Sequence, residues 1–158
     1  MNNLIEWLPN NLPTEKKTGI VHGDYSLTNV MIGKNDPKVI AILDWELSTL
    51  GDPCADFNYH CLQYTMNPKL ADKEYCKSQG IPVIEDYVKI YSDKINIDLT
   101  EEWDLYTAYN LFKLAGILQG ILGRVRDGTA AHENAAERAS GVRNLSDTAW
   151  DLVKKNFI

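Results

Sequence analysis

Two apolar segments joined by a short polar turn constrain the fold of this chain most strongly. Residues 30–33 and 38–43 are rich in valine and isoleucine, and they flank the sequence GKNDP. Apolar β-branched runs on either side of a turn made of Gly, Asn, Asp and Pro predict an antiparallel β-hairpin. The second run, VIAILDW, is apolar on both faces, so we expect its strand to be well buried.

Polar side chains stand at the open end of the predicted hairpin. Asn29 directly precedes the first strand, and Asp44 directly follows the second. Neighbouring strands lie about 5 Å apart, so these two side chains can share one Mg²⁺ ion through their oxygens. Asp24 lies five residues before Asn29, in the loop that leads to the same end. Phosphoryl transfer to an alcohol needs a carboxylate that can accept the hydroxyl proton and, beside it, two ligands for a metal ion.

The rest of the chain shows helical spacing. The predicted helices begin near residues 3, 54, 83, 101 and 132, and the last two end near residues 126 and 156. Pro53 suits the first turn of the second helix, and Thr100 suits the N-cap of the fourth. A small β element followed by several helices predicts an α+β fold that is mainly helical.

Composition excludes several classes of protein. The chain has 158 residues and a net charge of −6, which argues against a protein that binds nucleic acid. Its three cysteines, Cys54, Cys61 and Cys76, form no Cys-x-x-Cys pair, and we interpret them as reduced thiols of a cytoplasmic protein. No apolar run reaches the roughly 18 residues of a membrane span, and the first residues do not match a signal peptide. We therefore expect one cytoplasmic domain that binds neither nucleic acid nor membranes.

Three motifs in order resemble a known family. The chain contains HGDYSLTN, then ILDWE, then GDPCAD. This series resembles the aminoglycoside phosphotransferase family, whose members have a protein-kinase-like fold and the pattern H-G-D-x-x-x-x-N, hydrophobic-D-W and G-D-P-x-x-D. The longer strings AILDWELSTLGDPCADFNYHCLQY and LFKLAGILQGILGR resemble the branch found alone or fused to acyl-CoA dehydrogenases. The similarity runs from about residue 18 to the C-terminus.

The resemblance implies a role for each matching side chain. Asp24 would be the catalytic base that orients or deprotonates an acceptor hydroxyl. Asn29 and Asp44 would bind the Mg²⁺ that bridges the phosphates of ATP. His22 would brace the backbone of the metal-binding segment, and Asp56 would hydrogen-bond the catalytic loop from the start of a helix.

Structural roles are the alternatives for these and nearby residues. For Asp24 the alternative is a turn residue, and for Asn29 and Asp44 it is strand capping. The three-motif pattern disfavours both alternatives. Asp52 is interpreted as a helix cap and Trp45 as a core residue, whereas Glu46 receives no role. Glycines at positions 116, 120 and 123 lie in a helical pattern without the Lys-Ser or Lys-Thr of a phosphate loop. We therefore expect close helix packing there.

An acceptor pocket is expected among the helices after residue 54. The acceptor would be a hydroxyl-bearing small molecule, and the branch resemblance makes a hydroxyacyl thioester of the acyl-CoA type a candidate. The aromatic and basic side chains that are candidates to line this pocket are Tyr59, Tyr64, Trp103, Tyr106, Tyr109 and Arg124.

The resemblance covers only the C-terminal lobe of the kinase-like fold. Only 21 residues precede His22, and the chain contains no G-x-G-x-x-G and no strand with a V-A-I-K-like lysine. We expect the N-terminal nucleotide-binding lobe to be absent, so that the chain alone binds ATP weakly and turns over poorly. We also expect self-association through the face that the missing lobe would cover.

Two other functions are compatible with parts of the sequence. A degenerate kinase-like lobe could act as a non-catalytic binding or dimerisation module, although the base and both metal ligands are intact. A metal-dependent phosphohydrolase would use His22, Asp24 and Asp44, but no second cluster of His or acids completes a two-metal site.

Overall fold

The computed structural model describes residues 1–14, 17–129 and 134–158, and these residues form two compact units. One unit comprises Met1–Pro13 with Asp104–Ile158, and the other comprises Thr14–Trp103. The helices are α1 (Asn2–Trp7), α2 (Pro53–Met66), α3 (Pro68–Ala71), α4 (Lys73–Ser78), α5 (Ile84–Ile95), α6 (Trp103–Arg126), α7 (Ala135–Arg138) and α8 (Val142–Asn156). The strands are β1 (Gly19–Val21), β2 (Val30–Ile32), β3 (Val39–Ile42) and β4 (Thr49–Gly51). The predicted α+β class, mainly helical, is confirmed.

The strands of the Thr14–Trp103 unit form two antiparallel pairs. β2 pairs with β3, and the N–H of Gly33 donates to the carbonyl of Lys38 at 3.0 Å to close the turn. The predicted hairpin is therefore confirmed. β1 pairs with β4, and Ile20 lies opposite Leu50. The sequence did not predict this second pair, because strands of three residues carry almost no periodicity.

The predicted burial of the second hairpin strand is wrong. Val39 of β3 is 57% exposed, and Ile32, which lies opposite it on β2, is 55% exposed. Ile20 and Leu50, opposite each other on β1 and β4, are 73% and 72% exposed. We call these two cross-strand couples the exposed strand pairs. Apolar side chains on both faces of a strand predict burial only where another element covers the strand.

Helix α2 begins at a well-formed cap and packs through an apolar face. Oδ1 of Asp52 accepts the N–H of Cys54 at 2.8 Å, and Pro53 occupies the first turn, where its missing N–H costs no hydrogen bond. Phe57 is buried on this helix, and its ring stacks on Tyr91 of α5 at a centroid distance of 3.8 Å. The cap fixes where α2 starts, and the contact with Tyr91 fixes which face of the helix points toward α5.

The other unit is built from helices. Helix α8 buries residues at four-residue spacing, namely Leu145, Ala149 and Val153. Helix α1 lies against α8 and buries Leu4. The last helix was predicted from about residue 132, which lies outside the described residues. In the described range, the long helix α8 begins only at Val142, after the single turn of α7.

Two predictions about α6 are wrong. The helix begins at Trp103 rather than directly after Thr100, whose hydroxyl donates to Oδ1 of Asp98 at 2.7 Å instead of capping the helix. A Cβ atom added at Gly116 or Gly123 would meet no described heavy atom within 4 Å, so these glycines do not permit close helix packing. Among the described residues, no helix combines the length and apolarity needed to cross a membrane.

Candidate active site

The first turns of α2 hold the loop that carries Asp24. Oδ2 of Asp56 accepts the N–H of His22 at 2.7 Å, and Oδ1 accepts the N–H of Gly23 at 3.0 Å. Hydrogen bonds to a carboxylate are shorter and stronger than neutral ones. One side chain therefore fixes two consecutive backbone groups directly before Asp24, at the position expected for the bracing residue.

Gly23 is required by both conformation and space. Its φ is +83°, in the region that favours glycine. A Cβ at this position would lie 2.6 Å from the carbonyl oxygen of Leu47. The loop therefore passes directly against the segment that follows the hairpin, and no side chain fits between them.

His22 links the loop to the end of β3. The side chain is buried, its Nε2 lies 2.7 Å from the carbonyl oxygen of Leu43, and its Nδ1 accepts the N–H of Asp24 at 3.3 Å. Because a carbonyl only accepts, Nε2 carries the proton and donates, which leaves Nδ1 as the acceptor. Both ring nitrogens are thus occupied. A hydrolase mechanism that uses His22 as a metal ligand is therefore disfavoured.

Asn29 and Asp24 are joined directly. Nδ2 of Asn29 donates to the backbone carbonyl of Asp24 at 3.0 Å and to its Oδ2 at 3.2 Å. The amide nitrogen is consumed by these bonds, so the amide oxygen Oδ1 is the atom that Asn29 can offer to a cation.

Asp44 lies at the open end of the hairpin, next to Asn29. The N–H of Leu43 donates to the carbonyl of Asn29 at 2.8 Å, which places Asp44 one residue beyond this bond. Asp44 has φ 64° and ψ 55°, a left-handed conformation that Asp tolerates better than most residues. The indole N–H of Trp45 donates to the carbonyl of Ile42 at 2.8 Å and so bridges the turn. Trp45 is 46% exposed, and its predicted place in the core is wrong.

The donor set at this end fits Mg²⁺. No described residue makes a hydrogen bond or ion pair with the Asp44 carboxylate. Oδ1 of Asn29 provides a second oxygen for a cation. Mg²⁺ prefers oxygen and is usually bound by one or two protein ligands, with water and phosphates completing the shell. In the described ranges no group of three His, Cys, Asp or Glu residues could hold a metal. The arrangement therefore suits a cation shared with a phosphate substrate.

Three of the candidate pocket residues lie in the Thr14–Trp103 unit. Burial, followed by the negative charge of Asp24, raises the pKa of Tyr59 to about 12. The hydroxyl of Tyr64 donates to the carbonyl of Pro82 at 2.9 Å. Trp103 packs near Phe57, with ring centroids 5.8 Å apart. Tyr64 and Trp103 thus have definite contacts within the protein, and the role of all three side chains toward a substrate stays a prediction.

The other three candidates belong to the unit that comprises Met1–Pro13 and Asp104–Ile158. Tyr106 is only 2% exposed, so its ring is part of the core and cannot line an open pocket. This correction follows from its place in a part of α6 that is buried nearly all round, since Leu105, Ala108 and Leu111 are buried as well. Tyr109 is half-buried and Arg124 is exposed, and both remain predictions as pocket residues.

An aromatic cluster that the sequence did not predict lies beside the loop of Asp24. The ring of Tyr25, which follows Asp24 directly, lies 5.1 Å from the ring of His60, and the hydroxyl of Tyr87 lies 3.2 Å from Nε2 of His60. Burial lowers the pKa of His60, because the charged ring is poorly solvated there. In the sequence, only the position of Tyr25 directly after Asp24 points to this cluster.

The chain is similar to a solved structure and to a family model. A solved structure from Ralstonia eutropha JMP134, whose assigned name is aminoglycoside phosphotransferase, matches with a TM-score of 0.89 and 40% identity, over 98% of this chain and 48% of that one. The fold and the braced loop therefore define a phosphotransferase domain with a protein-kinase-like fold. The family model described as "Phosphotransferase enzyme family" matches residues 1–106. The chain belongs to this family, as its three motifs predicted.

Curated relatives include much longer proteins. The chain is 37% identical to acyl-CoA dehydrogenase family member 10 of Mus musculus and 35% identical to acyl-CoA dehydrogenase family member 11 of Homo sapiens. It is also 34% identical to the probable acyl-CoA dehydrogenase IBR3 of Arabidopsis thaliana. These matches cover 98%, 99% and 98% of this chain but only 15%, 21% and 19% of the relatives. The chain thus spans about a fifth or less of their length.

Proposed function

We propose that this chain is the C-terminal, catalytic lobe of an ATP-dependent phosphotransferase that phosphorylates a hydroxyl group of a small molecule. The observation that carries the proposal is the braced loop. Asp56 and His22 fix the loop and the end of β3, so that Asp24, Asn29 and Asp44 lie at one end of the hairpin. Membership of the phosphotransferase family supports the same reaction class.

The chemistry needs a positioned base and two oxygen ligands. Asp24 accepts a hydrogen bond from the acceptor hydroxyl and orients its oxygen toward the γ-phosphorus of ATP. As the new oxygen–phosphorus bond forms, the bond from the γ-phosphorus to the bridging oxygen breaks, and ADP leaves. The hydroxyl proton passes to the Asp24 carboxylate and then to water. Asn29 Oδ1 and the Asp44 carboxylate would hold Mg²⁺, which neutralises charge on the phosphates.

The exposed strand pairs have a natural occupant in this proposal. The match covers only 48% of the Ralstonia structure, and a kinase-like enzyme needs a lid and a lysine over the phosphates. A β-rich N-terminal lobe that carries these parts would cover the apolar side chains of the pairs. By itself the chain is expected to bind ATP weakly and to turn over slowly.

The acceptor is proposed to be a hydroxyl-bearing acyl thioester. The relatives found by sequence carry acyl-CoA dehydrogenase names, and a kinase domain joined to such an enzyme would act on a related acyl compound. The candidates to contact it are Tyr59, Tyr64, Trp103, Tyr109 and Arg124. This assignment of the acceptor is a proposal about the whole protein.

A cytoplasmic location is proposed from the thiols. Cys54, Cys61 and Cys76 are all buried, and none of them forms a disulfide among the described residues. Cysteines outside disulfides are typical of reducing compartments. Burial raises the pKa of the Cys61 thiol above its usual range, which makes it a poor nucleophile.

Binding of Mg²⁺ and ATP tests the metal assignment in this chain. Isothermal titration calorimetry with ATP should show heat that requires Mg²⁺ and that is lost in Asp44→Ala. Asp93→Ala is the control, because it removes an exposed carboxylate on α5 that pairs only with Lys89 among the described residues. Equal binding by Asp44→Ala and the parent chain would overturn the metal assignment.

Turnover tests the reaction class in the longer protein. The product of the complete reading frame that contains this chain should consume ATP in the presence of hydroxyacyl thioesters. Asp24→Asn should lower kcat at least about 100-fold, as expected for a lost general base. ATP binding without turnover on any hydroxyl compound would instead favour the non-catalytic binding module.

A further inference from the structure

Tyr87 of α5 and His60 of α2 form a hydrogen-bonded pair beside the loop of Asp24. The hydroxyl of Tyr87 lies 3.2 Å from Nε2 of His60, and the two rings meet edge to face with their centroids 5.9 Å apart. The ring of His60 also contacts Tyr25, the residue after Asp24, at a centroid distance of 5.1 Å. The pair therefore lies against the loop that carries the proposed base.

The other ring nitrogen of His60 fixes the direction of this hydrogen bond. Nδ1 is buried and has no hydrogen-bond partner among the described residues. A proton on Nδ1 would leave a buried N–H group without an acceptor, which is rarer in folded proteins than an unused lone pair. The favoured tautomer therefore carries its proton on Nε2, so that His60 donates to the oxygen of Tyr87.

This direction leaves the proton of the Tyr87 hydroxyl available. A phenol can accept one hydrogen bond and donate another, and the N–H of His60 is the one that it accepts. In the part of the chain that the structure describes, Tyr87 makes no further hydrogen bond. Because Tyr87 is only partly buried, a molecule bound beside it can accept the O–H.

We infer that Tyr87 is a specificity-determining residue, whose hydroxyl donates a hydrogen bond to an uncharged oxygen of the molecule that is phosphorylated. This inference rests on the proposed phosphotransfer function and deepens it. In a hydroxyacyl thioester, the uncharged oxygen is that of the thioester carbonyl. His60 is a positioning residue, because it holds the phenol oxygen from the side of α2.

The charge state of the pair favours a carbonyl over a carboxylate. Burial lowers the pKa of His60 and, as the largest cause, raises the pKa of Tyr87 to about 12. Both side chains are therefore neutral at neutral pH. A carboxylate that leaves water needs a positive partner, and neither side chain provides one. The pair thus selects a thioester over the free hydroxy acid.

The tautomer can be tested in this chain without any ligand. With ¹⁵N-labelled histidine, the ring resonances that disappear in His60→Gln are assigned to His60. Near neutral pH, Nε2 should resonate as a protonated nitrogen and Nδ1 as an unprotonated one, and Tyr87→Phe should shift the Nε2 resonance. A proton on Nδ1 would overturn the inference, since Tyr87 would then donate to His60.

Tyr91→Phe is a matched control for Tyr87→Phe. Both variants remove one hydroxyl from α5 and keep the ring, and Tyr91 lies one turn further along the helix. The hydroxyl of Tyr91 donates to the carbonyl of Pro53 at 3.4 Å, so its proton is already used within the protein. Tyr91→Phe should therefore leave the His60 resonances in place.

Binding to the longer protein tests the ligand. The two probes are β-hydroxybutyryl-CoA and its thioether, in which a methylene replaces the thioester carbonyl. Tyr87→Phe should raise the Kd of the thioester about tenfold, as expected for one lost hydrogen bond, and leave the Kd of the thioether unchanged. Tyr91→Phe should change neither. Equal effects on the two probes, or no binding of either to the parent, would overturn the inference, and circular dichroism checks the fold of each variant.

Turnover separates this inference from the proposed function. With ATP, Tyr87→Phe should raise the KM for the thioester and keep the parent kcat, because the carbonyl is bound equally in the ground state and the transition state. Binding that depends on Tyr87, without turnover in the parent, would count against the proposed function and leave the inference standing. Turnover with a parent-like KM in Tyr87→Phe would overturn the inference alone.

Discussion

The strand segment and the helical segment of the Thr14–Trp103 unit are held together in different ways. Between residues 53 and 95, the helices bury apolar side chains such as Cys54, Phe57 and Cys61 against each other. Between residues 19 and 51, the largest apolar side chains point to solvent, and the backbone is fixed by specific polar bonds. The loop of Asp24 is therefore anchored by a few polar groups, while the apolar surface of the strand segment stays exposed.

Two-stranded sheets explain why these polar anchors matter. Each strand pair has two open edges, and an isolated two-stranded hairpin is marginal in water. Asp56 ties the loop after β1 to α2, and His22 ties that loop to the end of β3. Removing an anchor should therefore destabilise the strand segment more than removing a surface charge.

Asp56→Ala should give the largest effect. It leaves the N–H groups of His22 and Gly23 without their partner. A hydrogen bond to a charged group contributes about 1.5–3 kcal/mol, so the free energy of unfolding should fall by about 4 kcal/mol in a urea titration. Asp93→Ala, which removes an exposed ion pair with Lys89, should change it by less than about 1 kcal/mol. Equal losses in the two variants would contradict the polar anchoring of the strand segment.

Gly23→Ala should follow, with a loss of about 3 kcal/mol from left-handed strain and a clash with the carbonyl of Leu47. Gly80→Ala separates these two causes. Gly80 has φ +67°, and a Cβ there would meet nothing within 4 Å of the described atoms, so its variant should lose only about 1 kcal/mol. Thermal or urea unfolding measures both values. Equal losses of stability in Gly23→Ala and Gly80→Ala would show that the carbonyl of Leu47 does not restrict the side chain at position 23.

The exposed strand pairs should drive self-association of the isolated chain. Replacing Ile20 and Leu50 together by Thr should weaken the association constant at least about tenfold, because two apolar side chains leave the contact. The free energy of unfolding should change by less than about 0.5 kcal/mol, since both positions are exposed. Ile90→Gln, on an exposed part of α5, should leave association unchanged. Analytical ultracentrifugation decides the matter, and a parent chain that is monomeric at high concentration contradicts it.

The helical segment should show the smallest effect, at alkaline pH. Burial, followed by neighbouring negative charges, raises the pKa of Tyr91 to about 12. The native state then holds a proton that the unfolded state releases near pH 10, so stability is fully present below about pH 10 and is lost as pH rises toward 12. Tyr91→Phe should reduce the slope of the free energy of unfolding against pH in this range by less than the equivalent of one bound proton. The pH dependence near neutrality should stay unchanged. Parallel curves for parent and variant would show that Tyr91 titrates alike in both states.

The sequence predicts the elements better than it predicts their surroundings. The hairpin follows from two β-branched runs around GKNDP, and the start of α2 follows from Asp52 and Pro53, because these signals are local. The exposure of Val39 and the open surroundings of Gly116 depend on which element lies opposite, and no local pattern contains that information.

The candidate site shows the same limit. Asp24, Asn29 and Asp44 are recognisable because their spacing is fixed by a hairpin. The ring contact between Tyr25 and His60 joins a loop to a helix far away in the sequence, and no local pattern contains it.

Helix α2 connects the helical segment rigidly to the loop of Asp24. Asp52 caps its N-terminus, and Asp56 binds the loop within its first turn. An α-helix is stiff over such a length, with a rise of about 1.5 Å per residue. A small rotation of α2 would therefore displace the loop and Asp24 together, so a molecule that binds the far side of this helix would move the proposed site without touching it.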